Sequence, residues 1–348
     1  MLRSTLVRLY LGFLVVGIVG NAPNPVEAAE TDKAPERPRF KTETIREEWR
    51  DAKRDRIVPV KIYLPQDKPG PSPVIVFSHG LGGSRDGYAY LGEHWSSRGF
   101  VSVHVQHAGS DGAAFVGPPA GIRGRMEQSI LDPSTSLNRP KDISFAVDEL
   151  ERLSADGQKL AGKLDLKRLG MAGHSFGAWT TLAIAGQKSD LPIGRNFSLA
   201  DPRFKAAIAM SAPAGRPGAD QDTVYSGITI PVFHMTGTLD DSPIGKSPAA
   251  DRRIPFDHIA AKDQFLVTFT GGDHMVFSGR IRPKGGQRVE MPGGSGDPAQ
   301  DARFQEIIRF ATTAFWEAYL NGEPGAKSWL KEGEFQKLLG KAGVFEQK

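Results

Sequence analysis

Short apolar runs alternate with longer amphipathic stretches along most of this chain, and that rhythm predicts strands interleaved with helices. Val74-Ile75-Val76-Phe77 is continuously apolar, as expected of a strand buried on both faces of a parallel sheet. Ile57 to Leu64 carries β-branched residues in alternation and reads as an early edge strand, where Pro59 is tolerable because an edge need not donate every hydrogen bond. Residues 86 to 98 read as a helix ending at Gly99, followed by a strand from Phe100 to Val105. A helix from Lys141 to Leu153 places Ile143, Val147 and Leu150 on one face. Arg168 to Gly173 then forms a strand and Ser175 to Ala185 a helix. Further buried strands are expected at Ala206 to Met210, Pro231 to Thr236 and Phe265 to Thr270, and a helix from Phe304 to Leu320 closes the fold. Such alternation implies right-handed crossovers and an α/β fold with a mainly parallel central sheet and helices on both faces.

Three long connections, residues 109 to 138, 212 to 228 and 278 to 300, are rich in Gly, Pro and polar side chains. In a sheet of this type the ligand crevice lies outside the carboxyl ends of the strands. The segment 109 to 138 leaves such an end and is the candidate lid.

Length and composition fit one large α/β domain over residues 40 to 348: the chain has 348 residues, 39% of them hydrophobic. Ahead of it, residues 29 to 39 form a flexible leader rich in Pro and charge. Residues 1 to 28 read as an export signal, with Arg3 and Arg8 before an apolar stretch from Leu9 to Gly20 and a small-residue cleavage site at Val26-Glu27-Ala28. The protein is therefore expected to be exported, periplasmic or extracellular. About 12 apolar residues fall short of the ~20 that span a bilayer, so no stable membrane span is expected. The absence of Cys excludes disulfides, a thiol nucleophile and thiolate metal sites. A net charge of +4 with no Lys/Arg run interleaved with aromatics gives no nucleic-acid surface. Oligomeric state is left open.

Gly173-His174-Ser175-Phe176-Gly177 follows an apolar run directly, the pattern by which a sharp strand-to-helix turn presents a nucleophilic serine. A serine hydroxyl needs a base to take its proton and a carboxylate to orient that base. The first acid past a later strand lies in Gly237-Thr238-Leu239-Asp240-Asp241, where Asp240 is the choice and Asp241 the competitor. Downstream of the acid stand His258 and His274 alone, and His274 is preferred because it immediately follows the Phe265 strand. Ser, acid and His thus occur in the required order at three strand ends. The oxyanion donors are assigned to the backbone amides of Phe176, next to the nucleophile, and Leu81, in the loop His79-Gly80-Leu81-Gly82. His79 and His174 read as structural. His94, His104, His107 and His234 lack metal-ligand spacing, so neither metal nor cofactor is expected.

Phe77-Ser78-His79-Gly80-Leu81-Gly82, then Gly99-Phe100 and a strand, then Gly173-His174-Ser175-Phe176-Gly177 resemble the α/β-hydrolase superfamily, more narrowly its platelet-activating-factor acetylhydrolase and dienelactone-hydrolase-like branch. The likeness spans residues 57 to 320. It implies the α/β-hydrolase fold, Ser175 with Asp240 and His274 as catalytic group, and Leu81 and Phe176 as oxyanion hole. It also implies a carboxylic-ester hydrolase that favours short acyl groups on a small-molecule or lipid ester. The chain departs from the branch at Ala178, where a second Gly is common, and a Ser nucleophile excludes carrying over the diene-lactone chemistry of the Cys enzymes. A lipase, an amidase or a polyester hydrolase uses the same machinery, and a noncatalytic binding protein on this scaffold is the alternative of another class.

Overall fold

Alternate residues of the central strands bury against opposite layers, and that alternation builds the core. In a computed structural model describing residues 38–118, 121–191, 194–215, 218–244, 247–280 and 296–348, strand β3 (Ser72–Ser78) sends Val74 and Val76 to one face and Ile75 and Phe77 to the other. The strands β1 (Thr42–Asp51), β2 (Arg56–Pro65), β4 (Val101–Val105), β5 (Leu164–His174), β8 (Phe204–Met210), β9 (Val232–Leu239), β10 (Gln264–Asp273) and β11 (Gly343–Gln347) join it in one sheet. Its order is β1-β2-β4-β3-β5-β8-β9-β10-β11. From β4 to β10 every pairing is parallel, and β1, β2 and β11 are antiparallel additions. A separate hairpin, β6 (Lys188–Leu191) with β7 (Gly194–Ser198), stands beside the sheet's carboxyl edge.

Helices cover both faces. On one side α1 (Ala89–Ser97) and α5 (Pro298–Tyr319) bring Trp95, Phe315 and Trp316 onto Phe77, Ile208 and Phe233. The other side is closed by α3 (Pro133–Ser154), whose Ile143, Val147 and Leu150 meet Val74, Val76 and Met171, and by α4 (Phe176–Ala185), whose Ala178 and Leu182 meet Ala207, Ala209 and Val232. Between them in sequence, α2 (Ile122–Leu131) lies over the carboxyl edge. No helix among the described residues is long and apolar enough to cross a membrane.

Three expectations are corrected. Strand β2 is not an edge, because β1 pairs along its whole length. Pro59 survives there for a different reason. Its carbonyl accepts from Gln106 N at 2.8 Å, and in an antiparallel ladder a residue's N–H and C=O face the same neighbour. The missing N–H therefore falls on the β4 side, where β2–β4 pairing stops at Val60 opposite Val105. The helix expected from Lys141 begins instead at Pro133, capped by Asp132, whose side chain accepts from Ser134 N at 2.8 Å, and it runs through Pro140. The fold does not close at Leu320: α6 (Pro324–Lys331), α7 (Glu334–Leu339) and β11 follow, laying Phe335 and Phe345 against Phe233. The export signal at 1–28, most of the leader and most of the 278–300 connection lie outside the described residues.

Buried histidines are expected to weaken this fold in acid. Burial pushes His104, on β4, and His234, on β9, down to about 3, and His107 down to about 4. Below the ordinary histidine value near 6.5 the unfolded chain takes up protons that the folded chain refuses, so stability is complete above that value and falls as the pH drops towards 4. At about 1.4 kcal/mol per tenfold change in proton affinity, His104 and His234 are each expected to remove on the order of 3 kcal/mol by pH 4. That is a large part of the ~5–15 kcal/mol of a typical domain. Acid unfolding is expected between pH 6 and 4, followed by near-ultraviolet circular dichroism; an undiminished signal at pH 3.5 would contradict it.

Candidate active site

Ser175 sits between β5 and α4 with φ 58° and ψ −118°, a backbone conformation that an L-residue adopts only at a strain of about 1–3 kcal/mol. The flanking glycines make that turn possible. A Cβ on Gly177 would overlap the Ser78 carbonyl of β3, and one on Gly173 would overlap the Gly177 carbonyl. Ser175 N donates to Met210 O at 2.9 Å, tying the turn to β8.

Asp240 follows β9 and His274 follows β10, so the three side chains converge from neighbouring carboxyl ends of the parallel sheet. His274 Nε2 lies 2.9 Å from Ser175 Oγ, and His274 Nδ1 lies 2.7 Å from Asp240 Oδ1. Asp240 is fully buried. Burial alone would raise its carboxyl, but the His274 ring, the Arg252 guanidinium and the Ser211 hydroxyl outweigh that and hold it below the ordinary carboxylate value. It is therefore ionised and fixes His274 with Nδ1–H facing it, leaving Nε2 as acceptor for the serine proton. Asp241 is exposed and accepts instead from Ala249 N at 2.8 Å, and His258 is engaged with Asp222 at 2.7 Å.

Several participants were not singled out from the sequence. Ser211, at the end of β8 with φ 60°, donates to Asp240 Oδ2 and lies 2.9 Å from His274 Nδ1; Thr236 donates to the same carboxylate oxygen at 2.9 Å. Arg252 binds the main chain around the acid, donating to Asp240 O at 3.2 Å and Ser211 O at 3.0 Å. Tyr88, also left-handed at φ 61°, accepts from Gly80 N at 3.3 Å and donates to His174 Nδ1 at 2.8 Å. Burial lifts its phenol to about 12, so it stays a hydroxyl, and burial keeps His174 well below the usual histidine range. The neutral His174 ring packs 4.7 Å from that of His274. For Ser211 the position after an apolar strand was a usable signal; Tyr88 and Arg252 left none.

Leu81 and Phe176 line the same cleft as Ser175 and His274, and neither amide donates to a protein acceptor among the described residues. A Cβ on Gly80 would come within 3.4 Å of Ser175 Cβ, so this loop abuts Ser175. The cleft measures about 1330 Å³. Ile122, Met126 and Ile130 of α2, with Trp179, give it an apolar wall, and Lys188, Arg195 and Arg280 also line it. The 109–138 segment thus carries a helix that walls the cleft. Among the described residues no group of three His, Cys, Asp or Glu is arranged to hold a metal ion.

Comparison with known proteins places the chain among α/β-hydrolase esterases. A family profile described as platelet-activating factor acetylhydrolase, isoform II, matches residues 55–116. A platelet-activating factor acetylhydrolase of Cavia porcellus is 25% identical over 314 residues, 81% of this chain and 66% of the relative. That of Canis lupus familiaris is 25% identical over 59% of this chain and 48% of its own length, and cutinase est1 of Thermobifida alba 26% over 37% and 36%. The chain thus spans between about half and two thirds of the length of the acetylhydrolases it matches. A ferulic acid esterase from Streptomyces cinnamoneus has a similar structure, with a TM-score of 0.59 at 21% identity, covering 82% of this chain and 92% of the other, which bears on fold alone.

Proposed function

Because this chain is an α/β-hydrolase related to the platelet-activating-factor acetylhydrolases, we propose that it is a serine-dependent carboxylic-ester hydrolase with Ser175, His274 and Asp240 as its catalytic group. The observation that carries the reading is the unbroken hydrogen-bonded series from Ser175 Oγ through His274 to a buried, ionised Asp240. In the first half-reaction Ser175 Oγ attacks the ester carbonyl carbon while its proton passes to His274 Nε2. The carbonyl oxygen becomes an anion facing the Leu81 and Phe176 amides, and each such donor contributes about 3 kcal/mol to lowering the barrier. Collapse expels the alcohol, which takes the proton from His274, and leaves an acyl group on Ser175. Water then repeats the sequence, delivering the acid and the free enzyme.

Short acyl groups are favoured, on the strength of the resemblance to the acetylhydrolases. The cleft is larger than the 300–1,000 Å³ of most ligand pockets, so its apolar wall is assigned to the alcohol part of the ester. The single domain over residues 40–348 and export by the segment 1–28 belong to the same reading.

Turnover of p-nitrophenyl esters of graded acyl length tests it. The kcat/KM is expected to fall at least about tenfold from acetate to octanoate, since an enzyme selective for short acyl groups must reject added methylenes at about 1–3 kcal/mol each. Comparable or faster octanoate turnover would reassign the protein as a lipase. Absence of both turnover and labelling by an organophosphonate would leave only a binding function.

A further inference from the structure

Between the Leu81 loop and the start of α4 lies a second polar array, buried at its centre, that takes no part in the proton transfers. Its centre is Arg139 of α3, 0% exposed. Nη2 donates to Ser78 Oγ at 2.9 Å and to His79 O; Nη1 donates to Ser110 Oγ at 2.7 Å; Nε donates to Thr180 Oγ1 of α4 at 3.0 Å. The guanidinium also sits 4.6 Å from the centroid of the Phe176 ring. From Ser78 the array continues through His107 Nε2 at 2.9 Å and from His107 Nδ1 to Asp142 at 3.0 Å. Asp142 is held in turn by Arg54 and Arg56. Ser78, His107 and Asp142 thus repeat the order of a catalytic group, but all three are sealed from the cleft.

What the array touches tells what it is for. His107 N donates to His79 Nε2 at 3.1 Å, which fixes the proton of His79 on Nδ1, and that atom donates to Gly80 O at 2.6 Å. Gly83 N donates to the same carbonyl at 3.0 Å. Gly80 O and Leu81 N–H belong to one planar trans peptide, so anchoring the carbonyl turns the amide the opposite way. Arg139 therefore grips the backbone that carries the Leu81 amide and, through Phe176 and Thr180, the first turn of the helix that carries the Phe176 amide.

We propose that Arg139 is a positioning residue that fixes the separation and aim of the two oxyanion-hole amides, the Leu81 loop through Ser78 and His79 and the α4 start through Phe176 and Thr180. The inference rests on the ester-hydrolase reading above. A planar guanidinium with donors in three directions can span these segments; an ammonium on a flexible stem cannot do so in one geometry.

The test is steady-state kinetics of Arg139→Lys and Arg139→Gln on p-nitrophenyl acetate, with active enzyme counted by phosphonate titration and fold checked by thermal melting. Removing one oxyanion donor lowers turnover about 10²–10³-fold. Misaiming both is expected to lower kcat about 30- to 300-fold per titratable site with KM within threefold. Binding of a boronic acid, whose tetrahedral adduct places an oxygen in the hole, is expected to weaken in parallel. If neither variant folds, Ser78→Ala, which removes only the hydroxyl bridging Arg139 and His107, is expected to lower kcat at least about tenfold at unchanged KM. A purely structural Arg139 would lower the melting temperature and leave kcat per titrated site and boronate affinity within threefold of wild type; that result overturns the proposal. Wild-type protein that shows no Ser175-dependent turnover fails the ester-hydrolase reading instead, so the two failures are distinguishable.

Discussion

Ser175→Ala is expected to reduce turnover of p-nitrophenyl acetate on the order of a millionfold. In the proposed mechanism serine, imidazole and carboxylate act as one unit, so losing the attacking oxygen removes the covalent route as completely as losing all three. What survives is the stabilisation offered by the amides of Leu81 and Phe176 and by binding itself, about 10³–10⁴-fold over water. The substitution is mild for the fold. Ser175 owes its φ of 58° to the turn, and its hydroxyl has His274 Nε2 as partner, so alanine leaves no buried donor stranded. A variant with unchanged melting temperature and a rate within tenfold of wild type would eliminate the mechanism.

The second large effect separates two adjacent acids. Asp240→Asn is expected to lower kcat about 10⁴-fold, because an amide facing His274 Nδ1 favours the wrong imidazole tautomer and withdraws the charge that stabilises the imidazolium. Asp241→Asn is expected to change kcat less than about threefold, since that side chain is exposed and accepts from Ala249 N rather than facing His274. Equal losses in the two variants, or a loss confined to Asp241→Asn, would assign the acid differently. Ser211 and Thr236 sharpen the contrast: both donate to Asp240 Oδ2, and they would have to reorganise around the new amide.

Much of this arrangement was readable before any coordinates. The central strands announce themselves because both their faces are buried, which leaves apolar runs such as Val74 to Phe77 with no polar interruption. The turn around Ser175 announces itself because two close backbone approaches, Gly177 to Ser78 and Gly173 to Gly177, admit no side chain. By contrast, β1 reads Thr-Glu-Thr-Ile-Arg-Glu-Glu-Trp-Arg-Asp and is mostly exposed, so its pairing with β2 leaves little apolar signal. Strand β11 is short and takes its place only because α6 and α7 return it to β10. The helix expected from Lys141 is already capped at Asp132 and packed along its length, and tertiary contacts carry it past Pro140.

Which side chains are on hand is legible along the chain: an alcohol at a strained turn, an acid and an imidazole after later strands, and the order in which the chain delivers them. These are local properties, set by glycine sterics and by the strand period, so they are written in neighbouring residues. Tertiary structure alone decided how they are held: that Asp240 rather than Asp241 turns inward, that Ser211 and Arg252 support it, and that Arg139 reaches Ser78 and Thr180 across 61 and 41 residues of chain. Buried polar groups must find partners wherever the packing brings them, and no pattern along the chain records which distant donor fills each one.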